Sequence, residues 1–180
     1  MRVAPSFRSR REGLILETKS GVFNGAGAAF FADSMLGSLA RWMRALGYDV
    51  AYENTIGDRE LVERAEAEGR VILTRDVLLM QRRRARSRSF FIIGDDLGGQ
   101  LRQVAEAFPL DERERLFLSR CLRCNLRLDE AEKPVVKGRV APYVYEMHER
   151  FSLCPGCGRV YWAGTHAMRM AEAVKRFLDG

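Results

Sequence analysis

Lysine is missing from the whole stretch between Val22 and Glu132. No Asp-x-Asp pair follows the first expected strand either, and together the two absences remove a receiver-like or phosphatase reading of an α/β chain. No apolar run approaches the roughly 20 residues of a membrane helix, and no internal repeat of fixed period is visible. Histidine is scarce, with two in the chain, and neither stands beside the acids that matter below. His148 lies in no motif. Cysteine is absent outside two short pairs, so no thiol is left over for a separate redox or catalytic role.

Those pairs are Cys121-Leu122-Arg123-Cys124 and Cys154-Pro155-Gly156-Cys157. Thiolates two residues apart lie on one side of a tight turn, and two such turns close a tetrahedron around one zinc ion. The alternatives are a redox dithiol or disulfides. A redox pair needs only one such motif beside a βαβ unit, so matched pairs favour metal. With Cys121, Cys124, Cys154 and Cys157 all bound, zinc keeps no open position, and the expected role is structural. The chemistry must then sit elsewhere.

A chain of 180 residues, 47% hydrophobic and 30% charged, is long enough for one core and a small annex. Its net charge of +6 is unevenly spread. Residues 1–28 carry five basic and two acidic groups, residues 29–115 fourteen against fifteen, and residues 116–180 eleven against seven. An acid-bearing centre between basic ends suits a protein that grips a polyanion at its periphery. Scattered solubilising arginines are the plainer explanation. The segment Met1 to Gly13 is rich in Arg and Ser but has no amphipathic apolar face, so a cytoplasmic setting is expected.

Periodicity divides the chain into a loosely ordered extension over 1–28, an α/β domain over 29–115, and a zinc ribbon with a C-terminal helix over 116–180. Ala29 to Ala32 reads as a buried strand and Ser34 to Leu46 as a helix stopped by Gly47. Tyr48 to Tyr52 is a second strand, and Asp58 is expected to cap a helix over Arg59 to Glu68. Val71 to Thr74 and Phe90 to Ile93 are further strands, with a helix over Gln100 to Phe108 before Pro109. Strands alternating with helices require a parallel sheet, because each parallel return needs a crossover. A charged linker, Asp111 to Arg115, leads to the ribbon. Pro134 to Tyr145 reads as β-hairpin between the knuckles, and Thr165 to Leu178 as a helix capped by Thr165.

Four acids fall where that topology gives them meaning. Asp33 follows strand one, Asp76 follows strand three, and Asp95 and Asp96 follow strand four, all on the edge where open α/β sheets bind ligands. Asp58 opens near the same edge. Carboxylates without a histidine or cysteine partner form a hard oxygen site suited to Mg²⁺ or Mn²⁺, and such ions support phosphodiester hydrolysis. Plainer roles exist for each: a cap for Asp58 or Asp33, a turn for Asp95-Asp96.

The runs Phe31-Ala32-Asp33-Ser34-Met35-Leu36-Gly37, Arg70-Val71-Ile72-Leu73-Thr74-Arg75-Asp76, Ser119-Arg120-Cys121 and Cys154-Pro155-Gly156-Cys157-Gly158-Arg159-Val160-Tyr161-Trp162 occur in this order. In them the chain resembles the Mut7-C family, a PIN-like ribonuclease domain fused to a zinc ribbon, from about Ala29 to about Met170. The resemblance implies a metal-dependent endoribonuclease with Asp33, Asp58 and Asp76 holding the ion and Asp95 or Asp96 as the fourth acid. RNA contacts are expected from Arg82, Arg83 and Arg86 in the densest basic run, from Arg41 and Arg44 on the first helix, and from Trp162 and His166 beside the zinc. A solvated helix face explains the arginines equally, and knuckle packing explains Tyr161 and Trp162. The competing functional reading is a non-catalytic zinc-ribbon RNA-binding protein.

Overall fold

The computed structural model describes residues 27–109 and 117–179. The expected flexible extension over 1–28 and the linker Asp111 to Arg115 lie outside the described residues, apart from 27 and 28. Four short strands, β1 (Ala29–Ala32), β2 (Asp49–Tyr52), β3 (Val71–Thr74) and β4 (Ser89–Phe91), form a parallel sheet in the order β2-β1-β3-β4. Every pairing is parallel. The apolar runs have no polar alternation because both faces are covered. Phe30, Ala32, Val50, Leu73 and Phe90 point into one core, whereas Phe31 and Ile72 point into the other.

Helix α1 (Gly37–Ala45), entered through a 3₁₀ turn at Ser34–Leu36, packs Leu39, Ala40 and Met43 on the first face, where α5 (Leu97–Ala107) also lies. On the opposite face α2 (Asp58–Ala67), α3 (Val77–Gln81) and α4 (Arg83–Arg86) supply Leu61, Val62, Ala65, Leu79 and Ala85. Helix α5 starts three residues earlier than the apolar pattern implies. Its start is set by Asp96, which accepts a hydrogen bond from the Gly99 N–H at 2.6 Å, drawing both glycines into the first turn. Gly98 has a packing reason as well, since a Cβ there would lie 2.9 Å from the Phe177 ring.

The cysteine segment forms a second, antiparallel sheet of β5 (Asp129–Ala131), β6 (Phe151–Leu153) and β7 (Val160–Trp162). Its apolar core is small, with Ala131, Val136 and Phe151 buried. The hairpin expected over Pro134 to Tyr145 is not formed. Pro134 opens a 3₁₀ turn at Lys133–Val136 and Pro142 opens helix α6 (Pro142–Met147), as proline favours in a first helical turn, and Gly138 at φ 74° turns the chain between them. The last helix, α7 (Thr165–Asp179), returns to the first sheet. There it buries Val174, stacks Phe177 edge-on against Trp42 and packs along α5. No helix among the described residues is long and apolar enough to cross a membrane.

Candidate functional site

Because β2 and β3 flank β1, the chain leaves β1 in one direction across the sheet and leaves β3 in the other. The crevice beyond the carboxyl ends of β1 and β3 is therefore the switch point at which open parallel sheets take ligands. Asp33 and Asp76 sit there. Asp33 is 5% exposed. Its Oδ1 accepts from the Ser34 N–H at 2.6 Å, and its Oδ2 accepts from the Thr74 hydroxyl at 2.6 Å. The same Thr74 oxygen accepts from the Asp76 N–H at 3.0 Å, and Asp76 Oδ1 caps α3 through the Leu78 N–H at 2.7 Å. One buried hydroxyl thus couples the two strand ends. Neither carboxylate has a basic partner among the described residues.

The other two acids are held differently. Asp58 is not a cap: Gly57 occupies that position, Asp58 is the first helical residue, and its Oδ2 pairs with Arg82 at 2.6 Å. Asp95 is 87% exposed in its side chain and pairs with Arg75, while Asp96 is committed to capping α5. Among the described residues no three acids lie close enough to share a metal ion, and the cysteines form the sole such group. What the structure gathers is the Asp33–Thr74–Asp76 unit, whereas Asp58 and Asp95 are each paired with arginine and not grouped with it. An apolar fringe unremarked in the sequence surrounds these strand ends. Met35, Val77, Leu78 and Ile93, each more than half exposed, follow β1, β3 and β4.

The four cysteine sulfurs lie within 4.8 Å of one another. Cys121 and Cys157 are 3.5 Å apart and Cys124 and Cys154 3.3 Å. A tetrahedral zinc–thiolate centre has bonds of about 2.3 Å and so sulfur separations of about 3.8 Å, which this cluster can supply. Burial opposes ionisation of Cys121, but hydrogen bonds from the Tyr161 hydroxyl and from backbone N–H groups outweigh it and bring the thiol down to about 6. Burial and hydrogen bonding to the other three sulfurs push Cys124 up to about 12. Four thiols this close cannot all ionise without a cation between them. The Tyr161 hydroxyl also receives the Leu122 N–H at 3.0 Å, so this aromatic belongs to the knuckle.

Two polar clamps dock the ribbon on the sheet. Arg44, expected to face RNA, is 4% exposed and donates to the carbonyl oxygens of Val50 (2.9 Å), Leu122 (3.1 Å) and Arg123 (2.8 Å). That is a correction: the guanidinium is spent on the first knuckle and has no face left for phosphate. Asn125, at φ 69°, accepts from the Val50 N–H and donates to Asp49, which also binds Arg70 at 2.6 Å and Arg120 at 3.3 Å. Burial raises the Asp49 carboxyl, but these donors and charges offset it and leave the group below its ordinary value.

The basic run is largely consumed within the fold too. Arg82 pairs with Asp58, Arg84 with Glu66, and Arg88 reaches the Ala65 carbonyl, so α3 and α4 are tied to α2. Arg83 and Arg86 remain exposed. Arg41, Trp162 and His166 converge instead on a cleft of about 720 Å³ between α1, the ribbon and the start of α7. A family model described as Mut7-C RNAse domain matches residues 28–174. No curated protein and no solved structure matches the chain.

Proposed function

Since the chain belongs to the Mut7-C RNAse domain family, we propose that it is a PIN-like, metal-dependent endoribonuclease whose chemistry occurs at the carboxyl ends of β1 and β3. The observation that carries this reading is the pair of acids joined by Thr74 at the switch point, both lacking a basic partner among the described residues. A nearly buried carboxylate without a counter-charge is costly unless something positive completes it. The donors are all oxygen, which fits Mg²⁺ or Mn²⁺ and not a softer ion.

Asp33 and Asp76 would hold such an ion, and Asp58, with Asp95 as the fourth acid, would join it only by moving in from positions too far apart to share it here. When bound it would polarise the scissile phosphate and make water a better nucleophile. The residues themselves supply rigidity and orientation. Ser34 and Thr74 fix both oxygens of Asp33, and the Leu78 N–H fixes one oxygen of Asp76. Asp58–Arg82 and Asp95–Arg75 are solvent-exposed pairs of little net strength, so an arriving phosphate can draw the arginines off and free the acids. Each turnover consumes one water and breaks one P–O bond, leaving a phosphate on one new end and a hydroxyl on the other. Residues 29–115 form the nuclease unit in this reading. The ribbon over 116–180 is a zinc-braced arm, at home in the cytoplasm where thiols stay reduced.

The decisive variant is Asp76→Asn, because asparagine caps a helix about as well as aspartate and α3 should survive. Purified protein is incubated with single-stranded and structured RNAs and Mn²⁺ or Mg²⁺. Divalent-dependent internal cleavage is expected from the wild type and not from the variant, with zinc content and thermal midpoint retained in both. Equal cleavage by both proteins would sink the assignment. Tight RNA binding with no cleavage by the wild type would favour the non-catalytic reading.

A further inference from the structure

Four arginines from distant parts of the chain meet in the cleft on the ribbon side: Arg41 from α1, Arg123 from the first knuckle, Arg159 following the second, and Arg139 from the loop before α6. His166 and Trp162 complete the wall, and no carboxylate is among the lining residues. Elsewhere many arginines are answered by carboxylates, although Arg83, Arg86, Arg150 and Arg176 lack an ion pair among the described residues. Arg59, Arg64, Arg70, Arg75, Arg82, Arg84 and Arg120 are all paired with acids, whereas Arg41, Arg123 and Arg159 have neither an ion pair nor a side-chain hydrogen bond among the described residues. Arg139 spends one edge on the Gly158 carbonyl at 2.7 Å. Holding four like charges around one hollow is unfavourable in the absence of an anion.

The cleft has fixed walls. Arg44 clamps the successive carbonyls of Leu122 and Arg123, Tyr161 ties the same knuckle, and the cysteine cluster brings the two knuckles together. Arg41 lies one turn before Arg44 on the same face of α1, and so it points past the clamp into the hollow. Trp162 is half-buried: it packs against the small ribbon core and folds over Gly164, with the rest of the indole lining the cleft.

We infer that this cleft binds a short single-stranded segment of the RNA substrate, with Arg41, Arg123 and Arg159 on phosphates and Trp162 against a base. The choice of RNA among polyanions rests on the nuclease reading above. Volume decides strandedness. A hollow of about 720 Å³ takes a nucleotide or two, whereas a duplex presents an extended surface, about 16 base pairs of it to a double-stranded-RNA-binding domain. In the fold the cleft lies on the α1 side of the sheet: α1 begins four residues after Asp33 and runs back from that edge, and the ribbon docks at its far end, on Ala45, Gly47 and Asp49. The ribbon therefore holds a single strand beside α1, in addition to bracing the C-terminal part of the chain.

Fluorescence anisotropy of a fluorescein-labelled oligouridylate, with the full chain and no added divalent ion, tests this. Arg123→Ala/Arg159→Ala should weaken binding about tenfold or more and flatten the log–log salt slope by about 1.4, two phosphates' worth for a single strand. Arg150→Ala/Arg176→Ala removes the same charge from exposed positions outside the cleft and should change affinity less than about twofold. Zinc content and thermal midpoint are measured on each. In a Trp42→Phe background Trp162 is the sole indole, and its emission should be quenched saturably by the same RNA. Unchanged affinity in the cleft variant, an equal loss in the control, an absence of quenching, or displacement by polyglutamate at equal charge each overturns the proposal. Asp76→Asn is assayed for Mn²⁺-dependent cleavage alongside the cleft variant. If it still cleaves while the cleft variant has lost binding, the catalytic assignment fails and the cleft stands; if Asp76→Asn is inactive and the cleft variant binds normally, the cleft fails and the catalytic assignment stands.

Discussion

Thr74→Val isolates the coupling on which the proposed chemistry depends. Thr74 is fully buried, and valine matches its shape, so the substitution opens no cavity and removes one hydroxyl. Two bonds go with it: the 2.6 Å donation to Asp33 Oδ2 and the 3.0 Å acceptance from the Asp76 N–H. A hydrogen bond to a charged group contributes about 1.5–3 kcal/mol, and the orphaned oxygen of Asp33 is too buried for water to replace the lost donor freely. For a chain of this size each kcal/mol moves the thermal midpoint by about 2–4 °C, so a fall of about 3–12 °C is expected by circular dichroism. Partners that orient metal-holding carboxylates typically matter about 10–100-fold, and the concentration of Mn²⁺ giving half-maximal cleavage should rise by that order. Thr74→Ser keeps the hydroxyl and should restore most of both losses. A Thr74→Val protein with wild-type midpoint and wild-type Mn²⁺ dependence would refute the reasoning, because the hydroxyl would then be a bystander.

Two further outcomes concern the docking of the ribbon. Arg44→Ala removes three donations to carbonyl oxygens and should destabilise by about 3–5 kcal/mol, with zinc released to a colorimetric chelator faster than from the wild type. Arg44→Lys should not rescue it, since a single ammonium cannot reproduce the planar fork, and wild-type zinc release from either variant would contradict the clamp. Asp49 supplies a pH test. Its folded value is depressed, so the stability it adds is full above its ordinary carboxylate range near 4 and disappears as pH falls through the lower folded value. The midpoint gap between wild type and Asp49→Asn should hold between pH 5 and 7 and close only in stronger acid; a gap that widened on acidification would have the wrong sign.

The parallel sheet and the edge that carries Asp33 and Asp76 were legible from sequence because their signals are local. Ala29–Ala32 and Val71–Thr74 are apolar runs whose length and flanks admit little else, and an acid directly after each run lands on one edge once the sheet is parallel. Cysteine spacing is likewise local, and it located the four-cysteine cluster that could hold a metal ion. The failures are instructive for the same reason. Val135, Val136, Val140, Tyr143 and Val144 have the composition of a hairpin, yet Pro134 and Pro142 each begin a helical turn, and backbone geometry prevailed over side-chain preference. Asp58 missed its cap by one position because Gly57 entered the helix first.

Arginines were the least legible residues, since a guanidinium's role depends on what the fold brings opposite it. Arg41 and Arg44 stand three apart on one helix face and look alike in sequence. Only the docking of the first knuckle separates them, burying Arg44 against Val50, Leu122 and Arg123 and leaving Arg41 open to the cleft. The dense run from Arg82 to Arg88 drew attention by its charge, but Asp58, Glu66 and the Ala65 carbonyl answer three of its five cations. Arg123, Arg139 and Arg159 are scattered over 37 residues with no shared motif, and the cleft shows them as a set. A basic surface is therefore better judged by its unanswered charges than by its density in sequence: phosphate must compete with a carboxylate at Arg82 or Arg84, and at Arg41, Arg123 and Arg159 it competes only with water.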